Sequence, residues 1–371
     1  MNRSFGHGGK VFSTARQLGV SPESILDFSA SINPLGPAPG VRKAAAEAFN
    51  RVGHYPEVGS PALCTALAGY HSLPAENIAV ANGSTELIHL LPRLFRRAAG
   101  RALLIAPTFA EYANALQLAG WECDYLTLSH ENGFALDCDR VAVELAQGYD
   151  LLFFCNPGNP TGKLYSLAEV GTLYRLCKGN GCFLVLDEAF IDFAEESSAK
   201  YLLPASDSGL ILRSMTKYFG FPGIRVGYSI ASADVTSRLQ QFLPPWNVGV
   251  IPQAAALAAL ADREHCRKTV ELVNNERRNL TNSLAAIKSL NVFKSAANYL
   301  LIRLDSGLTA AELQENLLKE RILIRDCSDF EGLDHRFFRV AVKKRAHNKK
   351  LLQAIAGVLK ESAFERFLSC S

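Results

Sequence analysis

The chain has 371 residues, of which 48% are hydrophobic and 20% are charged. These proportions are ordinary for a globular protein and exclude disorder as its main state, while the length suggests about two domains. The formal net charge of +3 does not favour a nucleic-acid-binding protein, and no apolar run approaches the ~18 residues that a membrane helix needs.

The first 45 residues are rich in glycine and proline and show little hydrophobic periodicity. We interpret them as an extended arm, residues 1–45, that packs against the rest of the protein. The remainder divides into a large domain over residues 46–250 and a long helix with a small domain over residues 251–371.

The middle of the chain alternates short apolar runs with helical patterns. Strands are predicted over residues 77–81, 102–106, 151–155, 183–186, 210–213 and 226–231, and helices from residue 85 and over 111–118 and 167–178. Continuous apolar strands are typical of a parallel or mixed sheet that is covered by helices on both faces. The large domain is therefore predicted to be an α/β layered domain.

The pattern changes after Pro252. One extended helix is predicted over residues 253–287, followed by strands over 299–304, 322–324 and 337–342 and helices over 310–320 and 348–360. This arrangement predicts a smaller α+β unit. The basic cluster of residues 343–350 is interpreted as the solvated start of the last helix.

The cysteines and histidines carry no recognisable site pattern. Nine cysteines are scattered without a CxxC pair, and eight histidines form neither HExxH nor HxxxH. These spacings argue against a disulfide scaffold and against a metal site, so no metal is expected. With no hydrophobic segment at the N-terminus, we expect a cytoplasmic protein whose thiols are reduced.

Two of four notable polar segments point to an anion and to a rigid turn. Asn82–Glu86 lies between a predicted strand and helix, where free backbone N–H groups attract an anion, although a plain helix cap at Ser84 is the simpler interpretation of this segment alone. Residues 156–162 read Asn-Pro-Gly-Asn-Pro-Thr-Gly and predict a rigid turn that fixes an asparagine amide.

The other two segments carry an acid and an amine. Asp187 follows a buried strand, where a carboxylate needs a partner, and a structural ion pair is the simpler alternative. Lys217 lies beside Ser214 and Thr216, with Arg225 eight residues further on. A lysine out of water and near a second cation has a lowered pKa and becomes a carbonyl nucleophile, whereas an isolated surface lysine would not.

Taken together and in this order, the four segments resemble the aspartate-aminotransferase-like, fold type I pyridoxal-phosphate enzymes. The resemblance implies a mostly parallel seven-stranded sheet between helices, a small α+β domain and an N-terminal arm. It also implies a homodimer whose active site lies at the subunit interface, with pyridoxal 5'-phosphate as cofactor.

The resemblance also implies roles for individual residues. Lys217 would hold the cofactor covalently, and Asp187 would pair with its ring nitrogen. The remaining cofactor-binding positions would be Ser84, Thr85, Ser214 and Arg225 for the phosphate, Asn159 for the 3-oxygen, Phe109 as a stacking ring, and Tyr55 reaching the phosphate of a neighbouring subunit. The substrate-binding positions would be His7, Gly8, Gly9, Ile32, Asn33, Asn159, Arg325 and Arg339.

Two branches of the family fit the sequence. The opening His-Gly-Gly, the stretch 26–36 and the segments 187–193, 221–225 and 324–328 resemble threonine-phosphate decarboxylases of cobalamin synthesis more than histidinol-phosphate aminotransferases. Lys10 departs from the asparagine expected after His-Gly-Gly. Phe190 stands where the aminotransferases usually have tyrosine, which removes a hydrogen bond worth ~1 kcal/mol.

The expected reaction is therefore decarboxylation of O-phospho-L-threonine to (R)-1-aminopropan-2-yl phosphate and CO₂. Arg325 is assigned mainly to the substrate phosphate and Arg339 to the carboxylate, although the two could share. An aminotransferase on histidinol phosphate is the runner-up, and a phosphoserine preference stays open because one methyl group contributes only ~1–3 kcal/mol of discrimination. A non-enzymatic regulator of the same fold is disfavoured, because the cofactor-domain arm begins near residue 5.

Overall fold

The computed structural model describes residues 6, 8–95 and 99–369. Its helices are α1 (Val11–Leu18), α2 (Pro39–Ala48), α3 (Pro61–His71), α4 (Ser84–Leu94), α5 (Glu111–Leu118), α6 (Cys138–Leu145), α7 (Leu167–Gly179), α8 (Ala233–Gln240), α9 (Val250–Ala261), α10 (Arg263–Ala285), α11 (Ala310–Lys319) and α12 (Arg345–Ser369). Its strands are β1 (Leu26–Asp27), β2 (Ile78–Ala81), β3 (Arg101–Ala106), β4 (Glu122–Thr127), β5 (Leu151–Cys155), β6 (Phe183–Asp187), β7 (Gly209–Ser214), β8 (Gly227–Ala231), β9 (Leu290–Val292), β10 (Tyr299–Leu304), β11 (Ile322–Leu323), β12 (Arg325–Asp326) and β13 (Phe337–Ala341).

The large sheet has seven strands in the order β2-β8-β7-β6-β5-β3-β4, and only β8 runs antiparallel to its neighbours. Strands β5 and β7 are buried along their whole length, which explains their continuous apolar sequences. The α/β prediction is confirmed. Strand β4 was not predicted, because it lies at the sheet edge and most of its side chains are exposed or half-buried.

The prediction of an extended arm over residues 1–45 is wrong in part. Helices α1 and α2 form there, and Ala15 of α1 packs with Ile25 and Leu323. The surrounding glycines and prolines obscure these short apolar patterns in the sequence. Strand β1 pairs in parallel with β11, so this segment contacts the part of the chain that follows α11.

The single helix predicted over residues 253–287 is also wrong, since the chain forms two helices, α9 and α10. The helices separate at Asp262, whose carboxylate accepts a hydrogen bond from the backbone N–H of His265 at 2.9 Å. Asp262 therefore acts as the N-cap of α10. Composition alone did not reveal this break, because both flanking segments favour helix.

The small domain contains a four-stranded antiparallel sheet in the order β12-β13-β10-β9. The strand predicted over 322–324 is divided into β11 and β12, which join different sheets. Arg325 on β12 lies directly opposite Arg339 on β13 in the strand register. Directly opposed residues share one face of a sheet, so the two guanidinium groups are brought to the same side of the small domain.

No helix in the described part of the chain combines the length and the apolar character that crossing a membrane requires.

Candidate active site

A cavity of about 250 Å³ lies at the carboxyl ends of β5, β6 and β7. Its walls are formed by Gly8, Ser29, Ala30, Ser31, Ser84, Thr85, Phe109, Tyr112, Cys155, Asn159, Asp187, Ala189, Phe190, Ser214, Thr216, Lys217, Arg225 and Arg339. The carboxyl edge of a parallel sheet is where such folds place their ligands. Polar segments that are far apart in the sequence meet here because their strands are neighbours.

Lys217 follows β7 and is half-buried in this cavity, with Nζ 5.9 Å from the centre of the Phe190 ring. Burial, together with the positive charges of Arg339 and Arg225, lowers the pKa of the Lys217 amine to about 8, against the opposing effect of Asp187. A substantial fraction of the amine is therefore neutral near pH 8. A neutral amine is the nucleophilic form, as the sequence predicts for this lysine.

Asp187 ends β6 and supplies a buried carboxylate on the cavity wall. Its Oδ2 accepts a hydrogen bond from the Tyr112 hydroxyl at 2.5 Å, and its Oδ1 accepts one from the Ala189 N–H at 2.8 Å. Burial raises the pKa of Asp187, whereas these two hydrogen bonds and Lys217 act in the opposite direction. The contact of Tyr112 with Asp187 was not predicted. Tyr112 lies in the first turn of α5, and its ring packs edge-on against Phe109 with ring centres 5.7 Å apart.

The anion-binding end is built from the N-terminus of α4 and the Arg225 side chain. A Cβ atom at Gly83, where φ is +85°, would lie 2.6 Å from Arg225 Nη2. A Cβ atom at Gly227 would lie 2.2 Å from the backbone nitrogen of Ser84. The missing side chains thus let a guanidinium group approach the free N–H groups of a helix that also presents Ser84 and Thr85. Dipole, guanidinium and hydroxyl groups together form a site suited to a phosphate group.

The turn after β5 holds Asn159 at the cavity wall. The Asn156 side chain secures this turn, because its Nδ2 donates to Tyr165 O at 3.1 Å and its Oδ1 accepts from Tyr165 N–H at 3.0 Å. The peptide bonds that precede Pro157 and Pro160 are cis. The residues form the rigid turn that the sequence predicts.

Arg339 lies between the Asn159 side chain and the arm. Its Nη1 donates to Asn159 Oδ1, its Nη2 donates to the Ser29 carbonyl at 3.1 Å, and its guanidinium lies 4.9 Å from the centre of the Tyr299 ring. Its buried Nε has no hydrogen-bond partner among the described residues. A buried unpaired donor is costly, and an anionic ligand in the cavity would offer it an acceptor.

Several predicted substrate-binding residues do not line the cavity. Asn33 uses its Nδ2 for Tyr218 O at 2.8 Å and Thr269 Oγ1 at 2.9 Å, and its N–H donates to the Lys217 carbonyl at 3.0 Å. Ile32 and Gly9 also lie outside the wall, although the Gly9 N–H donates to Ser29 Oγ at 2.8 Å. His7 is outside the described residues.

Tyr55 lies away from the cavity of its own chain. Its side chain is 80% exposed and stacks on Trp246 with ring centres 4.6 Å apart. It lines a separate groove of about 540 Å³ formed by residues 52–56 and 249–252. Within one chain, therefore, Tyr55 does not contribute to the site.

A buried ion network behind the site was not predicted. The fully buried Arg213 guanidinium contacts Glu188 Oε2 at 3.1 Å, Asp192 Oδ1 at 3.1 Å and Glu195 Oε2 at 2.5 Å. Burial raises the pKa of the Asp192 carboxyl to about 6 against the opposing charge of Arg213. Arg213 precedes Ser214, and Glu188 follows Asp187, so the network ties together the two strand ends that carry the site.

Comparison with known proteins gives one family and several related enzymes. The family model "Aminotransferase class I and II" matches residues 23–355. A threonine-phosphate decarboxylase of Salmonella typhimurium is 37% identical over 362 residues, which cover 95% of this chain and 96% of that protein.

Solved structures agree with this result. A histidinol-phosphate aminotransferase of Clostridium acetobutylicum superposes with a TM-score of 0.85 at 30% identity, covering 91% of this chain and 100% of that one. An L-threonine-O-3-phosphate decarboxylase of Porphyromonas gingivalis gives a TM-score of 0.79 at 28% identity over the same shares of the two chains.

Fold and cavity thus define a fold type I, pyridoxal-phosphate-dependent enzyme. The chain belongs to the aminotransferase class I and II family.

Proposed function

We propose that this chain is a threonine-phosphate decarboxylase that converts O-phospho-L-threonine to (R)-1-aminopropan-2-yl phosphate and CO₂ for cobalamin biosynthesis. The observation that carries the proposal is the near full-length similarity to the Salmonella typhimurium enzyme of that name. The chemistry of the cavity supports it, because the Lys217 amine, the buried Asp187 carboxylate and two arginines, Arg225 and Arg339, lie around one space.

The residues present fit pyridoxal phosphate. Lys217 would bind it covalently, Asp187 would face its ring nitrogen, Asn159 its 3-oxygen and Phe109 its ring face. Ser84, Thr85, Ser214 and Arg225 would hold its phosphate in the cradle that Gly83 and Gly227 leave open. When bound, the cofactor supplies an electron sink for the bond that breaks at the substrate Cα.

The protein selects the bond that breaks by fixing the two anions of the substrate. Arg339, whose Nε is unpaired, would bind the α-carboxylate, and Arg325 would bind the phosphate, since the planar guanidinium matches both groups. Anchoring both ends would fix which bond at Cα is presented for cleavage, here the bond to the carboxylate. Lys217 would then deliver a proton to Cα after CO₂ has left.

Histidinol-phosphate aminotransferase is the second candidate, favoured by the Clostridium acetobutylicum structure. We expect the protein loaded with pyridoxal phosphate to release CO₂ from phosphothreonine, and to form no glutamate from histidinol phosphate and 2-oxoglutarate. Parallel assays of CO₂ and glutamate decide between the two. Glutamate formation without CO₂ release would establish the aminotransferase, and phosphoserine in the same assay tests the need for the methyl group.

We further propose a homodimer in which Tyr55 of one subunit reaches the cofactor phosphate of the other. The exposed Tyr55 and Trp246 pair and the adjoining groove support a subunit contact. Tyr55→Phe should weaken cofactor binding by roughly 5- to 20-fold, because one charge-assisted hydrogen bond is lost.

Tyr201→Phe is the matched control, since Tyr201 is also exposed but its hydroxyl donates to the His71 carbonyl at 3.1 Å. Equilibrium titration with pyridoxal phosphate measures the effect, and light scattering measures the mass. A monomer that binds the cofactor normally, or equal affinities of the Tyr55→Phe variant and the parent protein, would contradict this arrangement.

We propose that the protein functions in the cytoplasm with a phosphorylated amino acid as its substrate. The eight cysteines in the described residues are free thiols. Free thiols are typical of a reducing compartment.

A further inference from the structure

Arg325, the arginine expected to bind the substrate phosphate, already has an anionic partner within the chain. Its Nη2 donates to Asp329 Oδ1 at 2.8 Å and to Oδ2 at 2.9 Å, and its Nη1 donates to the Asp326 carbonyl at 2.5 Å. The face of the guanidinium lies 5.0 Å from the centre of the Phe330 ring. Two edges and one face of the Arg325 guanidinium are thus occupied by groups of the same chain.

This ion pair lies beside the cofactor cavity. A small pocket of about 40 Å³ is lined by both Arg325 and Asp329, and it shares Phe109, Asn159 and Arg339 with the cofactor cavity. A substrate whose carboxylate contacts Arg339 would extend its second anion into this pocket. In this pocket the second anion would compete with the Asp329 carboxylate for Arg325.

The pair also contacts the N-terminal segment. The Gly6 N–H donates to Asp329 Oδ2 at 3.1 Å, and a Cβ atom at Gly6 would lie 2.7 Å from that oxygen and 3.0 Å from Arg325 Nη1. The backbone at Gly6 therefore lies directly against the ion pair. Movement of Asp329 would remove this contact between the arm and the loop that follows β12.

The register of the small sheet explains why an internal carboxylate is useful here. Arg325 and Arg339 are directly opposed on β12 and β13. Burial lowers the pKa of Arg339, and the charge of Arg325 acts in the same direction. Like charges in opposed positions destabilise a sheet. Asp329 offsets one of the two charges while the pocket contains no ligand.

We propose that Asp329 is an internal ligand of Arg325 that occupies the binding position of the substrate's second anion and must leave before that anion binds. The inference rests on the proposed function for the identity of the substrate. Asp329 is a positioning residue, because it acts through Arg325. It holds the guanidinium in place and lowers the apparent affinity for every anion that competes with it.

Displacement makes a quantitative prediction. If the anion binds only to protein in which Arg325 is free, its apparent affinity is its intrinsic affinity multiplied by the fraction of such protein. This factor is the same for every anion that binds there. A phosphate, with a charge of about −1.5 to −2 and three acceptor oxygens, can displace the Asp329 carboxylate from Arg325. A ligand carboxylate binds the guanidinium no more strongly than Asp329 does and therefore displaces it poorly. The protein would thus bind phosphorylated substrates more tightly than dicarboxylic amino acids, which would bind only weakly.

Asp329→Asn tests the proposal, because it removes the charge and keeps the shape. In calorimetry with the cofactor-loaded protein, inorganic phosphate and succinate should both bind roughly 3- to 10-fold more tightly, by the same factor. In the decarboxylation assay, the KM for phosphothreonine should fall by a similar factor, while kcat changes less than twofold.

Asp326→Asn is the matched control. The Asp326 Oδ1 accepts a hydrogen bond from the Ser328 N–H at 2.9 Å, which an asparagine oxygen can also accept, and this side chain does not pair with Arg325. The control should change both affinities less than twofold. In an Arg325→Gln background, the effect of Asp329→Asn should disappear.

Unchanged or weaker binding of both anions by Asp329→Asn would overturn the proposal. A gain that persists in the Arg325→Gln background would also overturn it, because it would indicate long-range repulsion by Asp329 instead of displacement from Arg325. Asp329→Ala serves as a second variant. Its unfolding midpoint and visible spectrum, compared with those of Asp329→Asn and the unaltered protein, show whether either variant has a folding defect. If the unaltered protein fails to decarboxylate phosphothreonine, the proposed function fails, whereas the phosphate and succinate titrations still decide the role of Asp329.

Discussion

Lys217→Ala should leave a folded protein that has lost decarboxylation by ~10⁴-fold or more, because no other group would replace the covalent nucleophile proposed at this position. Lys217 is the amine that the cavity surrounds, and burial together with Arg339 and Arg225 lowers its pKa to about 8. After incubation with pyridoxal phosphate and dialysis, the variant should show no visible absorbance from bound cofactor.

Lys163→Ala provides the matched control for this experiment. Lys163 belongs to the turn after β5, and its Nζ lies 5.9 Å from the centre of the Tyr165 ring, outside the cavity wall. That variant should keep the colour and most of the activity. A normal spectrum of Lys217→Ala after dialysis would contradict the covalent role.

The pKa of Lys217 adds a pH dependence that can be measured on the unaltered protein. Because this pKa lies below the usual lysine value, at about 8, the neutral amine fraction rises as the pH increases through 8. Covalent uptake of pyridoxal phosphate by the cofactor-free protein should therefore become faster between pH 7 and pH 9. Stopped-flow absorbance measures this rate, and a rate that falls over that interval would contradict the assignment.

Arg213→Ala should destabilise the protein by about 3–5 kcal/mol, because it removes the cation from a group of buried carboxylates. The side chains of Glu188 and Asp192, which contact Arg213, are 0% and 3% exposed. Without the guanidinium, these carboxylates must either take up protons or draw water into the core behind the sheet. Chemical denaturation of the cofactor-free protein measures the loss of stability.

Arg267→Ala is the control for the Arg213 experiment. Arg267 also pairs with two glutamates, Glu264 and Glu271, but its side chain is 63% exposed. Exposed pairs contribute only about 0–1 kcal/mol, so this variant should unfold almost as the parent protein does. Equal losses of stability in the two variants would show that burial of Arg213 is not what makes its network important.

Much of the large domain could be predicted from sequence because its strands are buried on both faces. Residues 151–155 and 111–118 were predicted with the bounds that the structure has, since each is a short run with one dominant signal. Edge strand β4 and helix α1 were missed because exposed side chains or nearby glycines weaken the pattern. Short local signals of this kind depend on tertiary packing to become regular structure.

The residues around the cavity likewise include some positions that could be predicted from the sequence and some that could not. That Asp187, Asn159 and Lys217 line one cavity could be expected from the sequence, because each lies at or just after the end of a buried strand and these ends meet at one edge of a parallel sheet. The direction of the Asn33 side chain could not be predicted, because it depends on Tyr218 and Thr269, which are distant in sequence. The contact of Tyr112 with Asp187 could not be predicted either, because the Tyr112 hydroxyl reaches this carboxylate only when α5 packs against the sheet.

The sequence by itself determined which chemical groups this protein possesses and, through the order of its strands, that an amine, a carboxylate and an amide would meet at one sheet edge. Only the tertiary structure decided which partner each polar group has. It opposes Arg325 to Arg339 across two strands, gives Arg325 an internal carboxylate, and buries Arg213 among acids. The reason is that the strands follow from local hydrophobic patterns, whereas the partner of a charged side chain depends on how the strands and turns around it pack in three dimensions.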